Sequence, residues 1–150
     1  MEAFEPRDSR TRFAHTSLLA DAARAAQVRQ EFSVWLRRYF TLDPTKISDV
    51  VLAVNEALAN AAEFAYETDD SPGAMHLLAD YDTESAVLTV TVSDEGAWRT
   101  TDGADVKISR GRGIPLMRAL ADRTTIESTP AGTTVRLEWN HIDAAQGAVT

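Results

Sequence analysis

Glu56 and Asn60 stand four positions apart in the segment VLAVNEALANAAEFAY, Val51 to Tyr66. A helix brings such a pair to within about one turn, so a carboxylate and a carboxamide lie side by side. Together they can share a metal ion and a water. The small residues Ala53, Ala57 and Ala59 beside them leave room for a ligand. Asparagine is a poor helix-interior residue because its side chain competes for backbone hydrogen bonds, so Asn60 asks for a reason. From the helix alone two readings stand: a ligand-holding face, or a solvated face with one indifferent Asn.

Three other stretches carry candidate chemistry. Asp94-Glu95-Gly96 follows a β-branched, alternating run, AVLTVTVS. A carboxylate at a strand end can accept a hydrogen bond from an exocyclic amine, and a glycine two residues on lets backbone approach a flat base. The plain alternative is an ordinary turn. Gly111-Arg112-Gly113 precedes a short apolar segment, where glycines can turn backbone N–H groups toward a phosphate and a helix N-terminus adds favourable potential. Lys107, Arg110 and Arg112 gather positive charge there; the plain alternative is a flexible helix entry with surface arginines. No Gly-Lys-Ser/Thr follows, so this is not a P-loop. Gly132-Thr133 opens the last strand, and the Thr133 hydroxyl could join the Asp94 end of a site. His15, His76 and His141 are far apart without ligand spacing and read as surface or ordinary core. No G-x-S-x-G elbow is present.

The elements that must position these residues follow from periodicity. Arg12 to Leu19 reads as a first strand. Ala25, Val28, Phe32, Trp35, Leu36 and Tyr39 make a helical stripe from Asp21 to Phe40, its aromatic rings most simply core. Pro44 stops it within Thr41 to Thr45. A second helix runs from Ser48, a possible N-cap, to Tyr66. Its apolar stripe is Ile47, Val51, Val54, Leu58, Ala61, Ala62 and Ala65, with Asp49, Glu56, Asn60 and Glu63 nearly opposite. Met75 to Tyr81 and Ala86 to Ser93 form a hairpin turned at Asp82 to Ser85. Asp94 to Arg112 is a long loop, and Ile114 to Ala121 a short helix with Pro115 in its first turn. Thr124 to Ser128 and Thr133 to Trp139 are strands around Pro130-Ala131-Gly132, and Asn140 to Thr150 is a frayed tail. Helices first and antiparallel strands after predict an α+β two-layer sandwich, a mixed, mostly antiparallel sheet covered on one face by helices.

Composition bounds the function. A chain of 150 residues, 44% hydrophobic and 25% charged, is one globular domain; residues 1–10 read as a loose N-terminus, 11–140 as the domain and 141–150 as the tail. The net charge of -8 disfavours nucleic acid or an anionic membrane as the main partner. The absence of cysteine excludes disulfides and thiolate metal sites. No apolar run spans a bilayer, and MEAFEPRDSR has no signal-peptide core; the default is a cytoplasmic protein.

Taken in order, LAVNEALANAAEFAY, VSDEG, GRGIPLMRAL and GTTVRLEW resemble the GHKL ATP-binding superfamily, and within it the stand-alone anti-sigma-factor serine kinases of bacteria. The resemblance covers roughly Phe13 to Trp139. It implies Glu56 as general base, Asn60 as the ligand of Mg²⁺, Asp94 as the reader of the adenine amino group with Gly96 beside the base, and Thr133 supporting the pocket. Arg110, Gly111, Arg112 and Gly113 would close over the phosphates of ATP, with the chain from Gly96 to Gly111 as a lid. Many members have His at the place of Phe64 and a second glycine where Trp98 is followed by Arg99; the Asp-x-Gly-x-Trp-Arg form looks like an actinobacterial branch. The implied function is an anti-sigma factor that phosphorylates an anti-sigma antagonist in a transcriptional partner switch, binds a sigma factor and forms a homodimer. The alternatives are a nucleotide-responsive binding regulator with little or no kinase activity, and a structural interaction domain whose glycine motifs are only loops.

Overall fold

A computed structural model of the chain describes residues 10–64, 73–95 and 113–145. Strand β1 (Arg12–Leu19) leads into helix α1 (Ala22–Tyr39), and the short β2 (Phe40–Thr41) into α2 (Pro44–Phe64). After these come β3 (Ala74–Asp82), β4 (Val87–Asp94), α3 (Gly113–Leu120), β5 (Arg123–Thr129), β6 (Gly132–Trp139) and β7 (Asp143–Ala144). Five strands pair in the order β1-β3-β4-β6-β5, and every ladder is antiparallel. The expected α+β sandwich is thus present, its sheet at the purely antiparallel limit of the expected mixed one.

Alternation along the central strands decides which face is covered. On β4, Leu88, Val90 and Val92 point inward and are at most 2% exposed. The ladders set Val92 between Leu77 and Val135, and Val90 between Ala79 and Leu137. Val28, Phe32 and Leu36 of α1, with Val50, Val54 and Leu58 of α2, complete this core. Phe32 and Trp35 are buried as their helical spacing predicts, whereas Phe40 is buried from the short strand β2. Phe13, Trp35, Phe40 and Tyr81 form a run of neighbouring rings, with centroids 5.6, 5.0 and 4.8 Å apart along it.

Two expectations are corrected. Pro44 does not merely end a helix; it begins the next one. Asp43 accepts the Lys46 N–H on its side chain at 2.8 Å and the Ile47 N–H on its carbonyl at 3.0 Å. That makes Asp43 the cap and Pro44 the first helical residue, where a missing N–H costs nothing, whereas Ser48 lies inside α2. The tail is also less frayed than expected. Ile142 is fully buried, its carbonyl accepts the Tyr81 hydroxyl at 2.6 Å, and β7 pairs with β2. Residues 146–150 lie outside the described chain.

The face of α2 is broader than its stripe suggested. Ala53, Ala57 and Ala61 are at most 1% exposed, because this helix packs against α1, α3 and β4 at once. Small residues let it sit close to several neighbours. Ala53 and Ala57 therefore serve the core and leave no ligand space of their own; Ala59 is half-buried.

Candidate functional site

Asp94 ends β4 and continues its inward row. The register sets it between Met75 on β3 and Thr133 on β6, and it is 6% exposed. A carboxylate at the end of an otherwise apolar row is costly unless something accepts its charge or hydrogen bonds to it. Thr133 is 1% exposed, and its hydroxyl lies 3.1 Å from that of Ser128 on β5. Gly132 is fixed by close approach. A Cβ there would collide with the Asp94 carbonyl oxygen and stand 3.1 Å from the Glu95 Cα. The start of β6 thus closes on the end of β4 at a distance only glycine permits.

Glu56 and Asn60 lie one turn apart on α2. Glu56 is half-buried. Asn60 is 5% exposed, which removes the reading of an Asn on a solvated face. No described residue hydrogen-bonds to its carboxamide, yet the amide is not among the buried polar atoms left without a partner, so it keeps enough access to turn to a ligand. The helix bearing this pair packs on β4 and on α3. It therefore stands between the strand that ends in Asp94 and the helix that begins at Gly113. Gly96, Arg110, Gly111 and Arg112 lie outside the described residues.

Two side chains at this end of the sheet escaped the sequence reading. Ser128 supports Thr133 through the β5–β6 register. His76, read as ordinary surface or core, bonds to Ser17 and to Glu95. Neither carries a linear signal, because their partners are set by strand pairing alone.

A family model described as the histidine kinase-like ATPase domain matches residues 18–139. The chain belongs to this family. The match runs from the end of β1 through the last residue of β6, so every described part of the site lies within it. Membership in the histidine kinase-like ATPase family implies an ATP site. Solved structures share the fold. The RsbU and RsbW domains of Rv1364c from Mycobacterium tuberculosis superpose with a TM-score of 0.66 at 24% identity, covering 89% of this chain and 33% of that one. The chain thus spans a third of the length of that structure. A chain of the SiaB-SiaC complex from Pseudomonas aeruginosa gives a TM-score of 0.60 at 11% identity, covering 92% of this chain and 99% of the other.

The residues present fit a magnesium nucleotide. A buried carboxylate at a strand end suits an adenine amine, and a nearly buried amide without a hydrogen bond suits a hard cation. Among the described residues no group of three or more His, Cys, Asp or Glu could hold a metal. A divalent cation here would be carried mainly by phosphate oxygens, the usual arrangement for Mg²⁺. No described helix is long and apolar enough to cross a membrane.

Proposed function

We propose that the chain is an ATP-dependent serine protein kinase that acts as an anti-sigma factor and phosphorylates an anti-sigma antagonist. One observation carries the reading. A helix with a half-buried carboxylate and a nearly buried amide one turn apart packs on the strand whose buried terminal aspartate is framed by Thr133 and Gly132. In this reading Asp94 accepts the adenine amine and Thr133 lines the same pocket, and a place beside the base is the role assigned to Gly96. Arg110, Gly111, Arg112 and Gly113 would neutralise and cradle the phosphates, and Asn60 would hold Mg²⁺ through its amide oxygen, the ion supplying charge neutralisation.

Phosphoryl transfer depends on placement and charge neutralisation more than on covalent catalysis. The antagonist's serine oxygen bonds to the γ-phosphorus, the bond from that phosphorus to the β,γ-bridging oxygen breaks, and ADP leaves. The serine proton passes to Glu56. A pure nucleotide binder needs no base, so the presence of Glu56 one turn from Asn60 favours transfer over binding alone. Likeness to an RsbW domain and to a chain of the SiaB-SiaC complex supports a protein antagonist as the substrate. A sigma factor as the competing partner, a homodimer as the assembly and the cytoplasm as the location complete the proposal.

The test is incubation of the purified chain with labelled ATP, Mg²⁺ and candidate antagonists from the same cell. Label on an antagonist serine is the expected result. ATP binding without label transfer to any antagonist would reduce the chain to a nucleotide-responsive regulator.

A further inference from the structure

His76 sits on β3 opposite Ser93, half-buried on the sheet face turned away from the helices. On its other side the β1–β3 register slips. His15 pairs with Leu77 and Leu18 with Met75, so Thr16 and Ser17 together oppose His76 alone. Ser17 takes a left-handed φ of 58°, as an extra residue in a bulge can. Its N–H donates to His76 Nδ1 at 2.9 Å. The other ring nitrogen, Nε2, lies 3.1 Å from Glu95 Oε2.

These two contacts determine the tautomer. A ring nitrogen that accepts an N–H carries no proton, so the neutral imidazole holds its proton on Nε2 and donates it to the Glu95 carboxylate. Glu95 directly follows Asp94, and its Cα lies beside Gly132 at the start of β6, where an added methyl would stand 3.1 Å away. We infer that His76 is a positioning residue for the nucleotide site: it holds Glu95, sets the direction in which the chain leaves β4 after Asp94, and ties that direction to the bulge of edge strand β1. This inference deepens the proposed function and rests on its placement of adenine at Asp94. It is specific to the ring, because one side chain must accept on one nitrogen and donate on the other.

Two substitutions separate the two bonds. His76→Asn places an acceptor near the position of Nδ1 but stops short of Glu95. His76→Gln reaches the position of Nε2 and donates there, but leaves the Ser17 N–H without its acceptor. Calorimetric titration with ATP and Mg²⁺ should find His76→Gln close to wild type. His76→Asn and His76→Ala should bind about three- to tenfold more weakly, the scale of one ordinary net hydrogen bond. Melting temperatures should rank the pair in the opposite order, with His76→Asn the closer to wild type. Affinities that follow the melting temperatures would make His76 a bulge cap only and overturn the inference.

A nucleotide-free readout keeps the inference apart from the function it rests on. Ring ¹⁵N spectra of the wild-type protein should show a bare Nδ1 and a protonated Nε2, and the Glu95 amide resonance should move in His76→Asn but not in His76→Gln. The opposite tautomer, or a Glu95 resonance unmoved in both variants, contradicts the inference. A wild-type chain that binds no ATP while meeting these spectral expectations would defeat the nucleotide reading and leave the Glu95 anchor standing.

Discussion

Asp94 and Glu56 are both carboxylates, yet their surroundings assign them different tasks. Asp94 ends an inward row at 6% exposure, where a carboxamide could turn its NH₂ toward the very amine that a carboxylate accepts. Asp94→Asn should weaken ATP binding by about 1–3 kcal/mol, measured by calorimetry. Glu56 is half-buried on the helix and needs only to receive a proton, so Glu56→Ala should retain nucleotide affinity and slow transfer by roughly 10²–10⁴-fold. Turnover at the normal rate by that variant would remove Glu56 as base. Gly132→Ala drives a methyl into the Asp94 carbonyl, and the strands can relieve this only by parting. A loss of about 1–3 kcal/mol is expected, visible as a lower melting temperature. Asn60 stood out in the sequence because asparagine suits a helix interior poorly, and Asp94 because a carboxylate closes a β-branched run. Gly132 was the weakest motif there and proves among the most constrained positions, since close approach between two strands is a tertiary fact. His76 was illegible: its partners are 59 and 19 residues away, and only the bulged register brings them together.

Elements were legible where one periodicity ruled and less so where one residue served two. Pro44 reads equally as the stop of one helix and the first residue of the next; the Asp43 cap decides. Asp43→Ala should cost about 1 kcal/mol, measured by chemical denaturation, with its effect on α2. The inward face of α2 was misjudged at Ala53, Ala57 and Asn60 because a lone helix gives no sign that it will be flanked on both sides. The segment after β6 has too few apolar residues to announce itself, yet Ile142 is buried and bonded to Tyr81. Burial, and next the charge of Asp143, raise the Tyr81 phenol above its ordinary value. The folded chain thus holds that proton more tightly than the unfolded chain does. The stabilisation is fully present below the ordinary tyrosine pKa of about 10 and is lost as pH rises through the raised value, when the O–H that donates to Ile142 is removed. Thermal melts taken from about pH 8 to about pH 11 should show this alkaline decline, and Tyr81→Phe should flatten it.

At the scale of the whole molecule, the order of elements announced the sandwich and its two short-turn hairpins, β3–β4 and β5–β6, whereas the pairing of β1 with β3 and of β4 with β6 is set by the tertiary fold. An acidic chain with a net charge of -8 that binds a triphosphate must place its cations and its metal locally, so magnesium dependence becomes the most informative property of the assembled site. In the proposed function the amide of α2 and the aspartate of β4 serve one bound nucleotide. Calorimetric titration of ATP, with and without Mg²⁺, into wild type, Asn60→Ala and Asp94→Asn tests it most directly. Mg²⁺ should strengthen binding in wild type and in Asp94→Asn, Asn60→Ala should lose this gain, and Asp94→Asn should bind more weakly under both conditions. A wild-type chain that binds no ATP, or an Asn60→Ala variant with an undiminished magnesium response, would contradict this placement.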